Sequence, residues 1–254
     1  MPTFIGAYAG SADHLPDAKH AFADPRNQPA TDLLVRLLRE QHAYEVNLLP
    51  ESTVIFSGPL LPFFYALLGD RKPRAAPRTK AQGAKLSPLT IKVFETIEKH
   101  GPVSKQQLQE LISRELSVAA MDRALSELWS ILKIVRVDYR EGEGAFWDLL
   151  YRWAPTAVIE GAQLSLPEAL SALIGKYLEG VAAAGEDEIE QFFSHLAPRS
   201  RVREAIHALL AARELSFVPV GSKTLIQLQS AHETHEGRTD NGRRKAATRS
   251  RMHE

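Results

Sequence analysis

The sequence predicts a mainly α-helical chain with small β-hairpins, an α+β fold, and two observations lead to this class. Between residues 86 and 229, apolar residues recur with the 3.6-residue period of amphipathic helices. After each set of three such helices come two short segments in which apolar and polar residues alternate, as in half-buried strands. This order of elements occurs twice. Three helices and a hairpin make a winged helix, so the chain is predicted to contain tandem winged helix-turn-helix units.

The first unit is predicted over residues 86–152. Ser87 is a suitable N-cap for its first helix, and Ser104 and Ser117 are suitable N-caps for the second and third. Each helix has one apolar row at helical spacing, which predicts one buried face. The predicted wing consists of strands at 134–139 and 145–150 with a turn at 140–144.

The second unit is predicted over residues 153–229 and repeats this order. Pro167 lies at the start of its first helix, Gly185 separates the first helix from the second, and Pro198 precedes the third. The predicted wing consists of strands at 215–220 and 223–228.

Three further segments flank or join these units. Residues 1–69 are predicted to be an N-terminal helical segment with one short strand near Val54, and Thr31 is the predicted N-cap of its first helix. Residues 70–85 form a basic linker, with six basic residues, two prolines and no large apolar residue. Residues 230–254 have no apolar face and are predicted to be a disordered basic tail.

Composition excludes several classes of function. The 254 residues include no cysteine, so disulfides, thiolate metal sites and a cysteine nucleophile are excluded. No stretch approaches the roughly 18 apolar residues of a membrane span, and the first residues lack a signal-peptide pattern, so a cytoplasmic location is expected. The sequence contains no nucleotide-binding loop and no convincing set of metal ligands, so neither a cofactor nor a metal is expected.

Formal net charge is zero, because 31 basic residues balance 31 acidic ones. Any nucleic-acid interface must therefore be local. A helix-turn-helix presents its third helix to the major groove and its wing to the phosphate backbone or the minor groove. In the second unit these positions carry five candidate DNA contacts, namely Arg199, Ser200, Arg201, Arg203 and Lys223.

Helical spacing refines this candidate interface. Arg199 and Arg203 are one turn apart and are expected to contact one phosphate strand together. The alternative is that these arginines are ordinary surface charges, paired with Glu186 and Glu204. The corresponding surface of the first unit is mixed to acidic and should repel phosphate; it carries Asp122, Arg123 and Glu127 on the helix and Glu141 and Glu143 in the wing.

The linker has two interpretations. It is either a solvated connector or a basic arm that lies along a phosphate backbone. Under the second interpretation its basic residues are further candidate DNA contacts, namely Arg71, Lys72, Arg74, Arg78, Lys80 and Lys85.

Several passages resemble one known family. They are Ser-Pro-Leu-Thr at 87–90, His-Gly-Pro-Val-Ser at 100–104, Ala-Leu-Ser-Glu-Leu-Trp at 124–129, Leu-Leu-Tyr-Arg-Trp-Ala-Pro at 149–155, Leu-Pro-Glu-Ala-Leu at 166–170 and Lys-Tyr-Leu at 176–178. Over roughly residues 60–228 the chain is similar to the YcaQ-like, AlkZ-related winged-helix proteins. The resemblance implies tandem winged helices and a link to DNA repair, because that group includes bacterial DNA glycosylases of crosslink and alkylation repair.

One departure from the family pattern affects catalysis. The glycosylases of that group carry a Gln-x-Gln or Gln-x-Asp motif that positions the attacking water. Gln227 and Gln229 have this spacing, but they lie on the last predicted strand and not where the family has its motif. No catalytic residue is carried over, and the catalytic residues stay unknown.

Three functions remain open at this point. The leading hypothesis is a non-catalytic tandem winged-helix protein that binds double-stranded DNA and is associated with DNA repair. The first alternative is a DNA glycosylase that acts on alkylated or crosslinked bases. The second alternative is a protein–protein adaptor, which the zero net charge and the acidic first wing favour.

Overall fold

The structure is a computed structural model that describes residues 28–49, 52–77 and 86–229. These residues are mostly helical, and their strands form three small antiparallel sheets of two, three and three strands. The prediction of a mainly helical α+β chain with small hairpins is confirmed. The predicted tail lies outside the described residues, as does the part of the linker beyond Pro77.

The N-terminal segment contains more strand than the sequence predicted. Helix α1 (Gln28–Arg39) is followed by a hairpin of β1 (Ala43–Leu49) and β2 (Ser52–Ser57), then by a 3-10 turn and helix α2 (Leu61–Leu68). The prediction of a single N-terminal strand was therefore wrong. Thr31 is not an N-cap either, because it lies buried inside α1.

The first predicted unit contains three helices and a three-stranded sheet. Its serine N-caps are confirmed, because Ser87, Ser104 and Ser117 each accept a backbone N–H bond of 3.2 Å from three residues further on. The strand order is β3-β5-β4. The elements are α3 (Pro88–His100), β3 (Val103–Ser104), α4 (Lys105–Ile112), α5 (Val118–Ser130), β4 (Ile134–Arg140) and β5 (Gly144–Leu149).

Two helices that the sequence analysis did not predict follow the first sheet. They are α6 (Leu150–Trp153) and α7 (Pro155–Gln163). Helix α7 packs closely on α2, since a Cβ atom at Gly161 would lie 2.5 Å from the carbonyl oxygen of Pro62. Only glycine therefore fits this crossing without a backbone shift.

The second predicted unit repeats the element order of the first. Its sheet order, β6-β8-β7, is the same pattern of strands as in the first sheet. The elements are α8 (Leu166–Val181), β6 (Ala183–Ala184), α9 (Glu186–Phe193), α10 (Arg199–Ala211), β7 (Leu215–Val220) and β8 (Lys223–Leu228).

One helix-to-strand junction occurs three times among the described residues. Helices α1, α5 and α10 are each followed by a non-glycine residue with positive φ, and a strand begins two residues after it. The residue next to it donates its N–H to a carbonyl five residues back, which is a Schellman motif. The positive-φ residues are Gln41, Leu132 and Arg213, and the bonds are His42 to Leu37, Lys133 to Leu128 and Glu214 to Leu209. Helix α1 and the β1–β2 hairpin thus have the same order as the third helix and hairpin of each later predicted unit.

Two apolar cores hold these elements. One lies within the first set and centres on Phe94, Ile97 and Leu128. The larger core joins the N-terminal hairpin and α2 to the second predicted unit, and it includes Phe64 and Ile174. Trp129 and Trp147 are buried, and their rings meet edge to face at 4.9 Å.

Candidate nucleic-acid interface

Helix α10 begins at an exposed surface. Pro198 precedes it, and no side chain caps its first backbone N–H groups. Arg199 and Ser200 are exposed. Within the described ranges, Arg199 has no hydrogen bond or ion pair to another side chain. A free guanidinium beside uncapped helix N–H groups forms a local site suited to an anion.

The other two arginines of α10 are paired with acids. Arg201 bonds Glu204 at 2.8 Å, and both side chains are exposed. Arg203 donates from Nε and Nη2 to the two carboxylate oxygens of Glu190, at 2.6 and 3.0 Å. The hydrogen bonds that Arg203 donates to Glu190 raise the pKa of Arg203. The alternative interpretation expected the pair of Arg201 with Glu204. It did not name Glu190, which is the main partner of Arg203.

Glu190 is the residue that sequence reasoning missed. It is buried on α9, on the same face as the buried Ile189 and Phe193. Helical spacing alone places position 190 on that face, three residues before Phe193. A carboxylate at a buried position needs a cationic partner, so this pattern could have indicated the pair.

Lys223 lies at the tip of the β7–β8 hairpin, opposite Val220. Its side chain is exposed. The same hairpin exposes two large apolar side chains, Phe217 and Val220. Strand β7 is an edge strand of its sheet, so the hairpin extends from the core with one edge uncovered.

The described part of the basic linker is held against the protein. Arg71 donates to the carbonyl oxygens of Ala162 and Leu164, at 2.6 and 2.7 Å, at the end of α7. Lys72 and Arg74 are exposed. This stretch is therefore not a free arm. The remaining linker candidates, Arg78, Lys80 and Lys85, lie outside the described residues.

The matching surface of the first predicted unit, around α5, carries charges of both signs. Asp122 pairs with Lys105 at 2.9 Å, and Arg123 is exposed. Glu141 and Glu143 are exposed in the β4–β5 turn. Glu127 was expected to be exposed but is half-buried, because it accepts bonds from the backbone of Ser87 and the hydroxyl of Thr90 at the start of α3.

A cleft of about 1090 Å³ separates α1 from the β4–β5 turn. Gln28 donates to Asp32 at 2.8 Å on its helical wall. Arg39 is held by Asp138 at 2.7 Å. Burial opposes ionisation of Asp138, but bonds from Arg39, Arg140 and the Tyr139 backbone outweigh it and lower the pKa. The cleft walls carry Arg36 and Arg39 but also three acids, Asp32, Glu40 and Glu141, so the cleft is not a cationic surface for phosphate.

Comparison with known proteins connects this geometry to a family. A family model described as DNA glycosylase AlkZ-like matches residues 11–247. The chain belongs to the AlkZ-like DNA glycosylase family. Among solved structures, the Streptomyces sahachiroi DNA glycosylase AlkZ is similar, with a TM-score of 0.53 and 13% identity. The similarity covers 79% of this chain and 55% of that one, so the chain spans about half the length of this relative. A search of curated proteins found no match.

Membership in the AlkZ-like family confirms the resemblance seen in the sequence and supports DNA binding and a role in repair. It does not support the leading hypothesis of a non-catalytic protein. The glycosylase alternative fits the family better, and nothing in the family description supports a protein partner.

The structure also locates the two glutamines considered as a motif. Gln227 lies on the central strand β8 and pairs with Ala183 and Ser216. The backbone N–H of Gln229 donates to Glu214. The backbone of Gln227 is thus part of the second sheet, and that of Gln229 is bonded just beyond its end. Across the described residues, no group of three His, Asp or Glu side chains could hold a metal ion. No helix in the described ranges is long and apolar enough to cross a membrane.

Proposed function

We propose that this AlkZ-like protein is a DNA repair glycosylase that binds double-stranded DNA and releases an alkylated or crosslinked base. The observation that carries the proposal is the family match over residues 11–247. In the reaction, the oxygen of a water molecule bonds to C1′ of the sugar. The bond from C1′ to the base nitrogen breaks and the base keeps that electron pair. The proton that the water loses passes to the departing base or to the solvent.

The proposed architecture is two tandem winged helices at residues 86–152 and 153–229. They follow an N-terminal segment at 1–69 and a basic linker at 70–85. The repeated element order and the identical strand orders β3-β5-β4 and β6-β8-β7 support this division. In a winged helix the third helix contacts the DNA, so α5 and α10 are the helices to compare.

The proposed DNA surface is the start of α10 together with the β7–β8 hairpin. Arg199 and Ser200 are exposed there beside uncapped backbone N–H groups, and Lys223 is exposed at the hairpin tip. The surface around α5 lacks this character, because Asp122 neutralises Lys105 and the adjoining turn carries two exposed glutamates.

The first test is base release. We expect the protein to convert a duplex with a single alkylated purine into an abasic duplex, detected as free base and as strand cleavage in hot alkali. A duplex with an interstrand crosslink tests the second substrate class. An undamaged duplex of the same sequence is the control and should stay intact. Tight binding without base release would restore the non-catalytic hypothesis, and no binding at low salt would favour the adaptor.

The second test concerns the surface. Arg199→Glu is expected to weaken binding to any duplex and to reduce the slope of log K against log salt by roughly 0.9 for each phosphate that the variant no longer neutralises. The matched control is Arg123→Glu on α5, which is also an exposed arginine on a third helix. It should leave the slope nearly unchanged. Equal slopes for wild type and Arg199→Glu would show that α10 is not the DNA surface.

A further inference from the structure

We infer that Glu190 withholds Arg203 from DNA by occupying the edge of the guanidinium that a backbone phosphate would bind. This inference rests on the proposed DNA surface at α10. It assigns a phosphodiester site to Arg203 and explains why Glu190 keeps that site closed, with DNA present or absent.

The first step is the geometry of the pair. Arg203 uses Nε and Nη2, and Glu190 uses both of its oxygens, at 2.6 and 3.0 Å. This parallel two-bond arrangement is the one by which arginine also binds phosphate. A phosphate cannot use the same two N–H groups while the carboxylate holds them.

The second step is the difference in exposure between the partners. The side chain of Arg203 is 54% exposed, whereas that of Glu190 is 4% exposed. Arg203 thus has the position of a DNA contact, but its departure would leave a buried carboxylate without its cation. Leaving a buried charge unpaired is strongly unfavourable, so the pair stays closed.

The third step is the charge of α9. Besides Glu190, this helix carries three acids in its first turn, Glu186, Asp187 and Glu188. Glu186 lies 3.9 Å from Arg203 and 3.1 Å from His207 on the next turn of α10. These acids repel phosphate, and Glu190 and Glu186 hold Arg203. Arg199 lies about one turn before Arg203, at the helix start, and is the α10 arginine left free among the described residues.

Removing the charge of Glu190 should therefore strengthen DNA binding. We expect Glu190→Gln to raise the affinity for a random duplex roughly fivefold at low salt and to steepen the salt slope by roughly 0.9, the value for one more neutralised phosphate. The double variant Glu190→Gln with Arg203→Gln should lose this gain. Glu204→Gln is the matched control, because it releases Arg201 from an exposed pair that already competes with water. It should change the slope less than Glu190→Gln does.

A second measurement covers the case in which Glu190→Gln does not fold. In the wild-type protein, the NMR signals of the Arg199 and Arg203 Nε–H groups are followed while a random duplex is added. We expect the Arg199 signal to shift and the Arg203 signal to stay. An equal shift of Arg203, or a folded Glu190→Gln variant with wild-type affinity and slope, overturns the inference. If Arg199→Glu also leaves binding unchanged, the proposed α10 surface fails as well, so the two failures can be distinguished.

Discussion

Replacing Glu45 by alanine is expected to lower the free energy of unfolding by about 3–5 kcal/mol. The Glu45 side chain is 4% exposed and accepts a 2.8 Å bond from Arg136. The Arg136 guanidinium lies over Trp129 and Trp147, 4.7 and 5.0 Å from their ring centres. Its Nε is already buried without a partner in the described structure. Without Glu45, a largely buried cation would have no counter-charge.

This pair also joins two parts of the chain. The indole N–H of Trp129 donates to the carbonyl oxygen of Glu45 at 2.9 Å, so β1 is held against α5 and the first sheet. Urea unfolding followed by tryptophan fluorescence measures the loss of stability directly. The control is Glu40→Ala, which removes an exposed carboxylate and should cost less than about 0.5 kcal/mol.

A double variant separates charge from packing. Replacing Glu45 by leucine and Arg136 by methionine removes both charges, and most of the lost stability should return. A cost below about 1 kcal/mol for Glu45→Ala would show that the buried pair does not hold the N-terminal hairpin in place.

Replacing Lys133 by methionine is expected to cost about 2–4 kcal/mol and to release the segment 70–77. The Lys133 side chain is 3% exposed. Its ammonium donates to the carbonyl oxygens of Ala75 at 2.9 Å and of Lys72 and Pro73 at 3.3 Å each, and it lies 3.2 Å from a carboxylate oxygen of Asp70. Hydrogen bonds that involve a charged group are the stronger ones, and the methionine side chain has no donor to replace them.

Limited trypsin digestion measures the release of this segment, because Arg71 and Arg74 are trypsin sites within it, whereas the bond from Lys72 to Pro73 resists trypsin. Cleavage there should be slow in the wild type and much faster in Lys133→Met, since proteolysis follows local opening. The control is Lys176→Met, which removes an exposed lysine paired with Glu179. Equal cleavage rates in Lys133→Met and wild type would contradict the predicted role of Lys133.

Family membership and local structure were both accessible from the sequence. The passages around residues 87–104 and 124–129 carried the resemblance that the family match over 11–247 confirms. The serine caps and apolar periods of residues 86–229 predicted helices that the structure contains. Such features depend on interactions within about four residues, and the sequence displays those neighbours directly. Strand β1 was not predicted. Glu45 is buried between apolar neighbours, so the alternation of buried and exposed side chains that indicates a strand is lost.

By itself, the sequence determined the helical class, the repeated order of elements and the family, because periodicity, caps and motifs are local. Only the tertiary structure decided which charges are free. Glu190 meets Arg203 from 13 residues away, Lys133 meets Ala75 from 58, and Arg71 meets Ala162 from 91. A basic residue that binds DNA and one that anchors a loop cannot be distinguished by residue type. They differ in the partner that folding brings within hydrogen-bond distance, and that partner depends on how distant segments pack.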